Sequence, residues 1–405
     1  MRTIEAARPT RPLAIDPRRT SIGERLNLPW FDGWMLAAAV GLIAFSIFTL
    51  ATATRDDIPG DPLYFVLRQS VYAVIGISLM FAVARIDYSR FREIRVGIYS
   101  AMLASITLVL LFGAAARGSR RWIELPYFRF QPSELAKVLL VVSLAAFVIE
   151  RTRRGKDLRQ TLVLLGLGLV PAAMVFIQPD LGTGLVLMVI TLAVLFVAGV
   201  RWSHFAVMGG LAALAATLAL VVAPAAGVPV LQDYQQERLT SFLNPSDDPD
   251  DSSYQTNQAK IAIGAGGKAG RGDQASQTEL KFLPERHTDF IFAVIGERFG
   301  FIGAAFVLSL YALLIWRILR LLTLSKNLYG TLIAGGIAAM LLFQVLVNVG
   351  MNLGIMPVTG ITLPLMSYGG SSVLVTFIAI GLLQSIHVQA QLNSRSSRAP
   401  TALLR

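Results

Sequence analysis

Residues 34–53 read "WMLAAAVGLIAFSIFTLATA", a run that contains no charged side chain. The hydrocarbon core of a bilayer is about 30 Å thick, and an α-helix of about 20 apolar residues crosses it. The run therefore predicts a transmembrane helix. Similar runs recur along the chain, which is 54% hydrophobic and 15% charged and has a mean hydropathy of +0.60. This composition excludes an ordinary soluble domain and indicates an all-α polytopic membrane protein.

About ten apolar runs are long enough to form such helices. The longest gap between them, at about 227–291, predicts one large loop between helices 7 and 8. We expect a ten-helix membrane domain over residues 29–388, between a basic tail at 1–28 and a second tail at 389–405. The runs lie near 34–53, 65–85, 96–114, 133–149, 160–178, 181–200, 204–226, 292–316, 329–350 and 366–387.

The distribution of basic residues predicts the orientation of these helices. If the N-terminus is cytoplasmic, the inner loops include 87–95, 150–159 and 317–326, which are rich in Arg or Lys, as cytoplasmic loops are. Both termini are then cytoplasmic, and the large loop is extracytoplasmic. The net charge of +11 reflects these loops and the Arg-rich start, so it does not indicate nucleic-acid binding. The absence of cysteine excludes disulfides, thiolate metal sites and cysteine nucleophiles.

One outer segment departs from this charge bias. Residues 117–130, "RGSRRWIELPYFRF", place Arg117, Arg120, Arg121 and Arg129 on the outer side. Guanidinium groups match the geometry of phosphate oxygens. The segment therefore predicts a binding site for a diphosphate outside the membrane.

A second charged segment, "PERHTDF" at 284–290, ends the large loop directly before an apolar run. Asp289 could cap the following helix, because a carboxylate is favourable at a helix N-terminus. Alternatively, ionisable groups at a membrane edge mark functional sites, and Asp289 could act as a general base tuned by Arg286 or His287. The spacing alone leaves both interpretations open.

Two further motifs carry polar residues into apolar runs. In "FQPSELAK" (130–137), Glu134 and Lys137 share a helix face, either as a structural ion pair or as the polar floor of a headgroup site. In "QPDLGTG" (178–184), Asp180 is more typical of a helix cap than of a ligand.

Two glycine-rich stretches complete the pattern. The stretch "GAGGKAGRG" (264–272) lacks the GK[ST] ending of a nucleotide-binding loop, so we expect a flexible loop and no ATP hydrolysis. Residues 351–372 are interrupted by prolines and glycines, which predicts non-helical backbone at the rim of a cavity.

Together these motifs resemble the SEDS family (shape, elongation, division and sporulation) of cell-wall glycan polymerases. The resemblance runs in family order through "RWIELPYFRFQPSELAK", "QPDLGTG", "DYQQERLTSFLNP", "YQTNQAKIAIGAGG", "FLPERHTDFIFAVIGERFGFIG" and "GIMPVTGITLPLMSYGGSS". Within the family, "SQTELKFLPERHTDFIF" and "LLQSIHVQAQ" look more like the elongation member, RodA, than the division member, FtsW. The acidic insert "NPSDDPDDSS" (244–253) departs from the family pattern.

The resemblance implies an inverting peptidoglycan glycosyltransferase of the bacterial cytoplasmic (inner) membrane. It would polymerise lipid II on the extracytoplasmic side during cell elongation, with Asp289 as the catalytic residue. It would work with a class B penicillin-binding protein, a transpeptidase, and with Mre-type elongation proteins. We expect the substrate to contact Glu134, Lys137, Arg117, Arg120, Arg121, Ser133, Arg286, His287, Asp180 and Ser367.

Other functions remain open from the sequence. A lipid II flippase would also use arginines and proline or glycine breaks, and a scaffold would only position the transpeptidase. No cofactor is required by the motifs. Whether Mg²⁺ or Mn²⁺ binds near Glu134 or Asp289 is left open, although hard oxygen ligands suit either ion.

Overall fold

The computed structural model describes residues 31–55, 57–116, 119–125, 128–152, 157–218, 251–279, 282–283, 285–325 and 327–396. The predictions for the N-terminal tail, for Arg117 and for most of the acidic insert lie outside these residues.

The described chain is mainly helical, and a helix overlaps each of the apolar runs. Eight helices are long and apolar enough to cross a membrane, and α6 and α7 are shorter apolar helices. The fold is therefore a polytopic all-α membrane protein, as predicted. The helices are α1 Gly33–Ala53, α2 Tyr64–Ala84, α3 Arg95–Phe112, α4 Pro132–Thr152, α5 Leu158–Ile177, α6 Leu181–Val197, α7 Trp202–Thr217, α8 Asp251–Gly266, α9 Ser276–Glu279, α10 Ile291–Leu324, α11 Leu328–Asn352 and α12 Gly370–Ser396, with 3-10 turns at Tyr88–Arg92 and Gly272–Gln274.

The last helix differs from its predicted bounds. It begins at Gly370 instead of 366 and continues to Ser396, into the stretch predicted as a tail. Residues 364–369 form turns and irregular backbone before it, and Leu365 has a φ of +64°, outside the helical region. Residues 353–369 are non-helical, which confirms the prediction for most of 351–372, whereas 351–352 end α11 and 370–372 begin α12.

A small antiparallel sheet that the sequence did not reveal joins α3 to α4. It consists of β1 (Ala114–Ala116), β2 (Ser119–Leu125) and β3 (Phe128–Phe130), in the order β1-β2-β3. Ala114 pairs with Trp122, and Ile123 pairs with Phe130. The described parts of the arginine-rich segment, 119–125 and 128–130, therefore form a ribbon.

The glycine-rich part of the large loop is also structured, so the prediction of a flexible loop is wrong. Helix α8 packs against the beginning of α10 so closely that a Cβ atom on Gly266 would clash with the carbonyl oxygen of Gly296. The turn after α8 meets α10 at Gly300, whose φ of +63° kinks that helix. Glycine is needed at both positions because no side chain fits between the two backbones.

Helices α4, α11 and α12 are mostly buried, whereas α2 and α3 expose most of their surface. The bundle is tied at both ends. We call the end where residues 285–290 and 353–369 meet the site end. At the opposite end, the Asp32 carboxylate accepts hydrogen bonds of 2.9 and 2.6 Å from Arg317, and the Gln384 side chain bonds the backbone of Asp32.

Candidate active site

The loop that carries Asp289 is held through its backbone. The His287 carbonyl oxygen accepts a hydrogen bond from the Tyr368 amide at 2.8 Å, and the Thr288 carbonyl accepts one from the Ser367 hydroxyl at 2.6 Å. Ser367 is fully buried and also accepts a hydrogen bond from the Leu363 amide at 2.8 Å. Ser367, predicted to contact the substrate, is thus placed where it positions the loop.

The carbonyl of Asp289 is fixed by two asparagines of α11. Asn348 Nδ2 donates to it at 2.9 Å and also donates to the Ile361 carbonyl at 2.8 Å. Asn352 Nδ2 donates to the same Asp289 oxygen at 3.2 Å. Three successive carbonyl groups, from residue 287 to residue 289, are therefore anchored to α11 and to the segment that follows it.

The carboxyl group of Asp289 is half-buried beside this segment. Its Oδ2 lies 3.6 Å from the position that a Cβ atom would take on Gly360, which has a φ of +72°. Asp289 is not the N-cap of α10, because that position is held by Phe290. The Ala293 amide in the first turn is instead bonded by Asn352 Oδ1 at 3.1 Å.

His287 lies in an aromatic cluster. Its ring centroid is 4.8 Å from that of Phe65 and 5.9 Å from that of Tyr368. Burial raises the pKa of Tyr368 to about 12, so its hydroxyl stays protonated at neutral pH.

Arg286 is buried and engaged with other parts of the chain. It pairs with the Asp57 carboxylate and donates to the Thr278 carbonyl. Thr278 is itself bonded through its amide and hydroxyl to the buried carboxylate of Glu297, at 2.9 and 2.6 Å. Arg286, which was predicted to bind the substrate, therefore joins the loop of Asp289 to two other segments of the chain.

The beginning of α4 carries a buried polar cluster at the site end. Lys137 Nζ lies 2.7 Å from Glu134 Oε1, and both side chains are buried. The Asp180 carboxylate accepts hydrogen bonds from Gln131 Nε2 at 3.0 Å and from Ser133 Oγ at 3.4 Å. The side chains of Gln131, Ser133, Glu134 and Lys137 therefore contact one another or Asp180, which lies in the turn before α6.

Asp180 also caps α6, because its Oδ1 accepts a hydrogen bond from the Thr183 amide at 3.1 Å. The structural interpretation of Asp180 is therefore confirmed. A Cβ atom on Gly182, in the same turn, would lie 2.7 Å from the Thr359 carbonyl. Since Gly360 is next to Asp289 on the other side, residues 359–361 lie between the Asp180 turn and the Asp289 loop.

The ribbon contacts the turn before α6. Arg121 donates from Nε to the Gln178 carbonyl at 3.2 Å and from its guanidinium to the Pro179 carbonyl. The backbone of Arg120 lies in β2. Arg129 is exposed and lies 3.4 Å from the exposed Glu124 carboxylate.

Backbone strain is concentrated around this site. Among the residues that the structure describes, φ is positive at three non-glycine positions, Pro179, Glu285 and Leu365, with values of +30°, +51° and +64°. All three lie in turns of the site end. Such conformations persist where the surrounding structure enforces them, and they cluster at active sites.

Several residues of the site were not identified from the sequence. Asn348 and Asn352 offered a signal, because two asparagines four apart share one helix face within an apolar run. The described part of the chain has no group of three or more His, Cys, Asp or Glu residues that could hold a metal ion. The Mg²⁺ or Mn²⁺ site considered above stays untested.

The chain was also compared with known proteins. Residues 30–392 match the FtsW, RodA and SpoVE family model, described as "Cell cycle protein". The chain is 35% identical to "Peptidoglycan glycosyltransferase MrdB" of Escherichia coli K12, over 94% of this chain and 99% of that protein. It is 36% identical to "Probable peptidoglycan glycosyltransferase FtsW" of Thioalkalivibrio sulfidiphilus, over 90% of each.

A similar chain occurs in a solved structure described as "Structural coordination of polymerization and crosslinking by a peptidoglycan synthase complex". The TM-score is 0.74 and the identity 34%, and the match covers 89% of this chain and 98% of that chain.

Proposed function

The chain belongs to the FtsW, RodA and SpoVE family of cell cycle proteins, and on that premise we propose that it is an inverting peptidoglycan glycosyltransferase that polymerises lipid II. The observation that carries the proposal is the fixed position of Asp289. Its loop is anchored at three successive carbonyls, while its carboxyl group remains half-buried at the edge of the site.

In this mechanism Asp289 accepts the proton of the 4-hydroxyl group of the acceptor GlcNAc. The oxygen attacks the anomeric carbon of the donor MurNAc, and the bond from that carbon to the diphosphate oxygen breaks. The diphosphate departs on its prenyl chain with the bonding electron pair. A single displacement inverts the anomeric configuration. Holding the base in place before the reaction lowers the entropic part of the barrier.

The departing diphosphate requires cationic stabilisation. Arg121, Lys137 and Arg286 already have partners within the protein, so their direct contribution depends on exchanging those partners for the substrate. We propose that Arg120, in β2, and Arg117 contact the diphosphate. The Glu134–Lys137 pair, with Ser133, Asp180 and His287, would bind the neutral and polar parts of the headgroup.

We place the protein in the bacterial cytoplasmic membrane with the site end outside. The basic loops support this orientation, because Tyr88–Arg92 and the beginning of α3 lie at the opposite end with the ion pair of Asp32 and Arg317. A class B penicillin-binding protein is the proposed partner, supported by the similar chain in a peptidoglycan synthase complex. Mre-type proteins and a role in elongation remain proposals, since the identities to MrdB and FtsW are nearly equal.

A lipid II flippase is the competing function. It requires charged groups along a path through the bilayer. The ionisable residues that the structure describes near Asp289 lie at the site end of the bundle. At the opposite end, the buried charges of Asp32 and Arg317 form an ion pair with each other. This separation favours the polymerase.

The test compares wild type with Asp289→Asn in a purified complex with the penicillin-binding partner, using lipid II and a gel that separates glycan strands. We expect glycan from wild type and none from the variant, which keeps the size of the side chain but cannot accept the proton. Equal product from both would remove Asp289 from the chemistry. No product from a folded wild-type complex would favour the flippase.

A further inference from the structure

Gln69, on α2, is a fully buried polar side chain that has no part in the mechanism above. Its Nε2 donates hydrogen bonds to the Ser367 carbonyl and to the Ser46 hydroxyl, both at 3.2 Å. Ser46, on α1, is also fully buried, and its hydroxyl donates to the Met366 carbonyl at 2.6 Å. Two side chains of α1 and α2 therefore hold two successive carbonyl groups of the 353–369 segment.

These two carbonyls directly follow Leu365, whose φ is +64°. A residue other than glycine persists in that conformation where the surrounding structure enforces it. On the other side of Leu365, the Tyr311 hydroxyl of α10 donates to the Pro364 carbonyl. The turn at Leu365 is therefore held on both sides by side chains of the membrane helices.

The same segment carries the loop of Asp289. The Ser367 hydroxyl donates to the Thr288 carbonyl at 2.6 Å, one residue before Asp289. Gln69 is thus two hydrogen bonds away from the backbone next to the proposed base. A displacement of the Ser367 backbone would move this loop with it.

The oxygen of the Gln69 amide gives no comparable benefit. Gln69 Oε1 is buried and has no hydrogen-bond partner among the residues that the structure describes. A buried carbonyl oxygen without a donor destabilises a protein. Stability alone therefore does not favour a glutamine at this position, whereas the contacts of its nitrogen do.

We propose that Gln69, together with Ser46, is a positioning residue that fixes the 366–367 carbonyls and, through them, the loop of Asp289. The inference rests on the proposed function, in which Asp289 is the base. A base must lie within hydrogen-bond reach of the hydroxyl that it deprotonates. Because Gln69 acts through Ser367, its loss should lower kcat and leave KM unchanged.

The test uses the full-length protein in complex with the penicillin-binding partner, with Gln69→Met and Ser46→Ala. Methionine is an unbranched side chain of similar length, and it removes both the donor and the unpaired oxygen. The matched control is Gln384→Met. Gln384 is equally buried, at the opposite end, and its amide accepts from the Asp32 amide at 2.8 Å and donates to the Asp32 carbonyl at 3.1 Å. The control for Ser46→Ala is Ser143→Ala, because the buried Ser143 hydroxyl bonds carbonyls of its own helix, α4.

Three quantities are measured for each variant. The kinetic constants come from glycan synthesis at varied lipid II, and stability comes from thermal denaturation. Hydrogen–deuterium exchange of peptides covering 284–290 and 363–369 is recorded without substrate, so it reports the loop whether or not the enzyme turns over. In this segment the Leu363 amide donates to the Ser367 hydroxyl, and the Tyr368 amide donates to the His287 carbonyl.

We expect Gln69→Met to lower kcat about 5- to 30-fold, the range for one or two lost hydrogen bonds that matter in the transition state. KM should stay within about twofold of wild type, and the Leu363 and Tyr368 amides should exchange about tenfold faster. Ser46→Ala should change all three in the same direction. Gln384→Met should keep the wild-type kcat and exchange but lose more thermal stability than Gln69→Met, because it removes two hydrogen bonds and no unpaired oxygen.

A wild-type kcat in both Gln69→Met and Ser46→Ala would overturn the proposal. A lower kcat without faster exchange would also overturn it, since the effect would not pass through the 363–369 segment. An equal fall of kcat in Gln384→Met would reduce Gln69 to a general contribution to stability. If Gln69→Met does not fold, Ser46→Ala decides by the same criteria. If wild type makes no glycan, the proposed function fails, and the exchange rates alone decide whether Gln69 holds the loop.

Discussion

Replacing Asn348 by leucine should slow the reaction by releasing the loop of Asp289. The substitution keeps the number and branching of the side-chain heavy atoms but removes two hydrogen bonds, to the carbonyls of Asp289 and Ile361 at 2.9 and 2.8 Å. The Asp289 oxygen keeps its bond from Asn352 at 3.2 Å, whereas the Ile361 oxygen loses its Asn348 donor. One lost bond and one unsatisfied buried carbonyl together cost about 2–4 kcal/mol.

Part of that cost should appear in the transition state, because Asp289 must reach the acceptor hydroxyl there. If about half of it does, kcat falls roughly 5- to 30-fold. The assay is the initial rate of glycan synthesis at saturating lipid II, measured together with thermal denaturation of the purified complex.

Asn327→Leu is the matched control. Asn327 caps α11 at the opposite end, where its side chain accepts a hydrogen bond from the Tyr329 amide at 3.1 Å. Losing this cap costs about 1 kcal/mol and should leave kcat unchanged. If Asn348→Leu lowers the denaturation temperature but keeps the wild-type kcat, the anchoring of the Asp289 carbonyl does not position the base.

Two further predictions concern charges. Glu134→Gln leaves Lys137 buried without its carboxylate and should destabilise the protein by about 3–5 kcal/mol. Adding Lys137→Met should restore the denaturation temperature but not glycan synthesis. Recovery of both would argue against a substrate site at these two residues. At Asp87, burial raises the pKa, but hydrogen bonds from Gln389 and Ser89 outweigh it and lower the pKa of the carboxyl group. The resulting stabilisation is present above the unfolded pKa of about 3.9 and is lost as the pH falls through the folded pKa. Gln389→Leu should therefore melt below wild type at pH 7, with the two temperatures converging below about pH 4; a constant difference at low pH would contradict this assignment.

The membrane helices could be predicted because each is a long apolar run, a signal that needs no knowledge of neighbours. Helix α8 was missed for the opposite reason. Its glycines suggest flexibility in isolation, and only the backbone of α10 shows that they permit close packing. The ribbon was missed because its strands are short and depend on pairing with one another.

The site was predictable where charges interrupt apolar sequence. The 284–290 and 130–137 motifs were found in this way, and Asp180 was recognised as a cap. What could not be predicted is which partner each charge takes. From the sequence, Arg286 and Arg121 were predicted to bind the substrate. In the structure, Arg286 pairs with Asp57, and Arg121 donates to the carbonyls of residues 178 and 179.

The anchoring of Asp289 through main-chain oxygens has a consequence for the evolution of the site. Main-chain oxygens are the same whatever the residue. Substitutions at residues 287 and 288 therefore leave the hydrogen bonds that hold the loop unchanged. Substitutions at these positions can change which substrates the enzyme accepts without moving Asp289. Selection for position falls instead on residues that are distant in the sequence, such as Asn348, Asn352 and Ser367, whose side chains hold the loop.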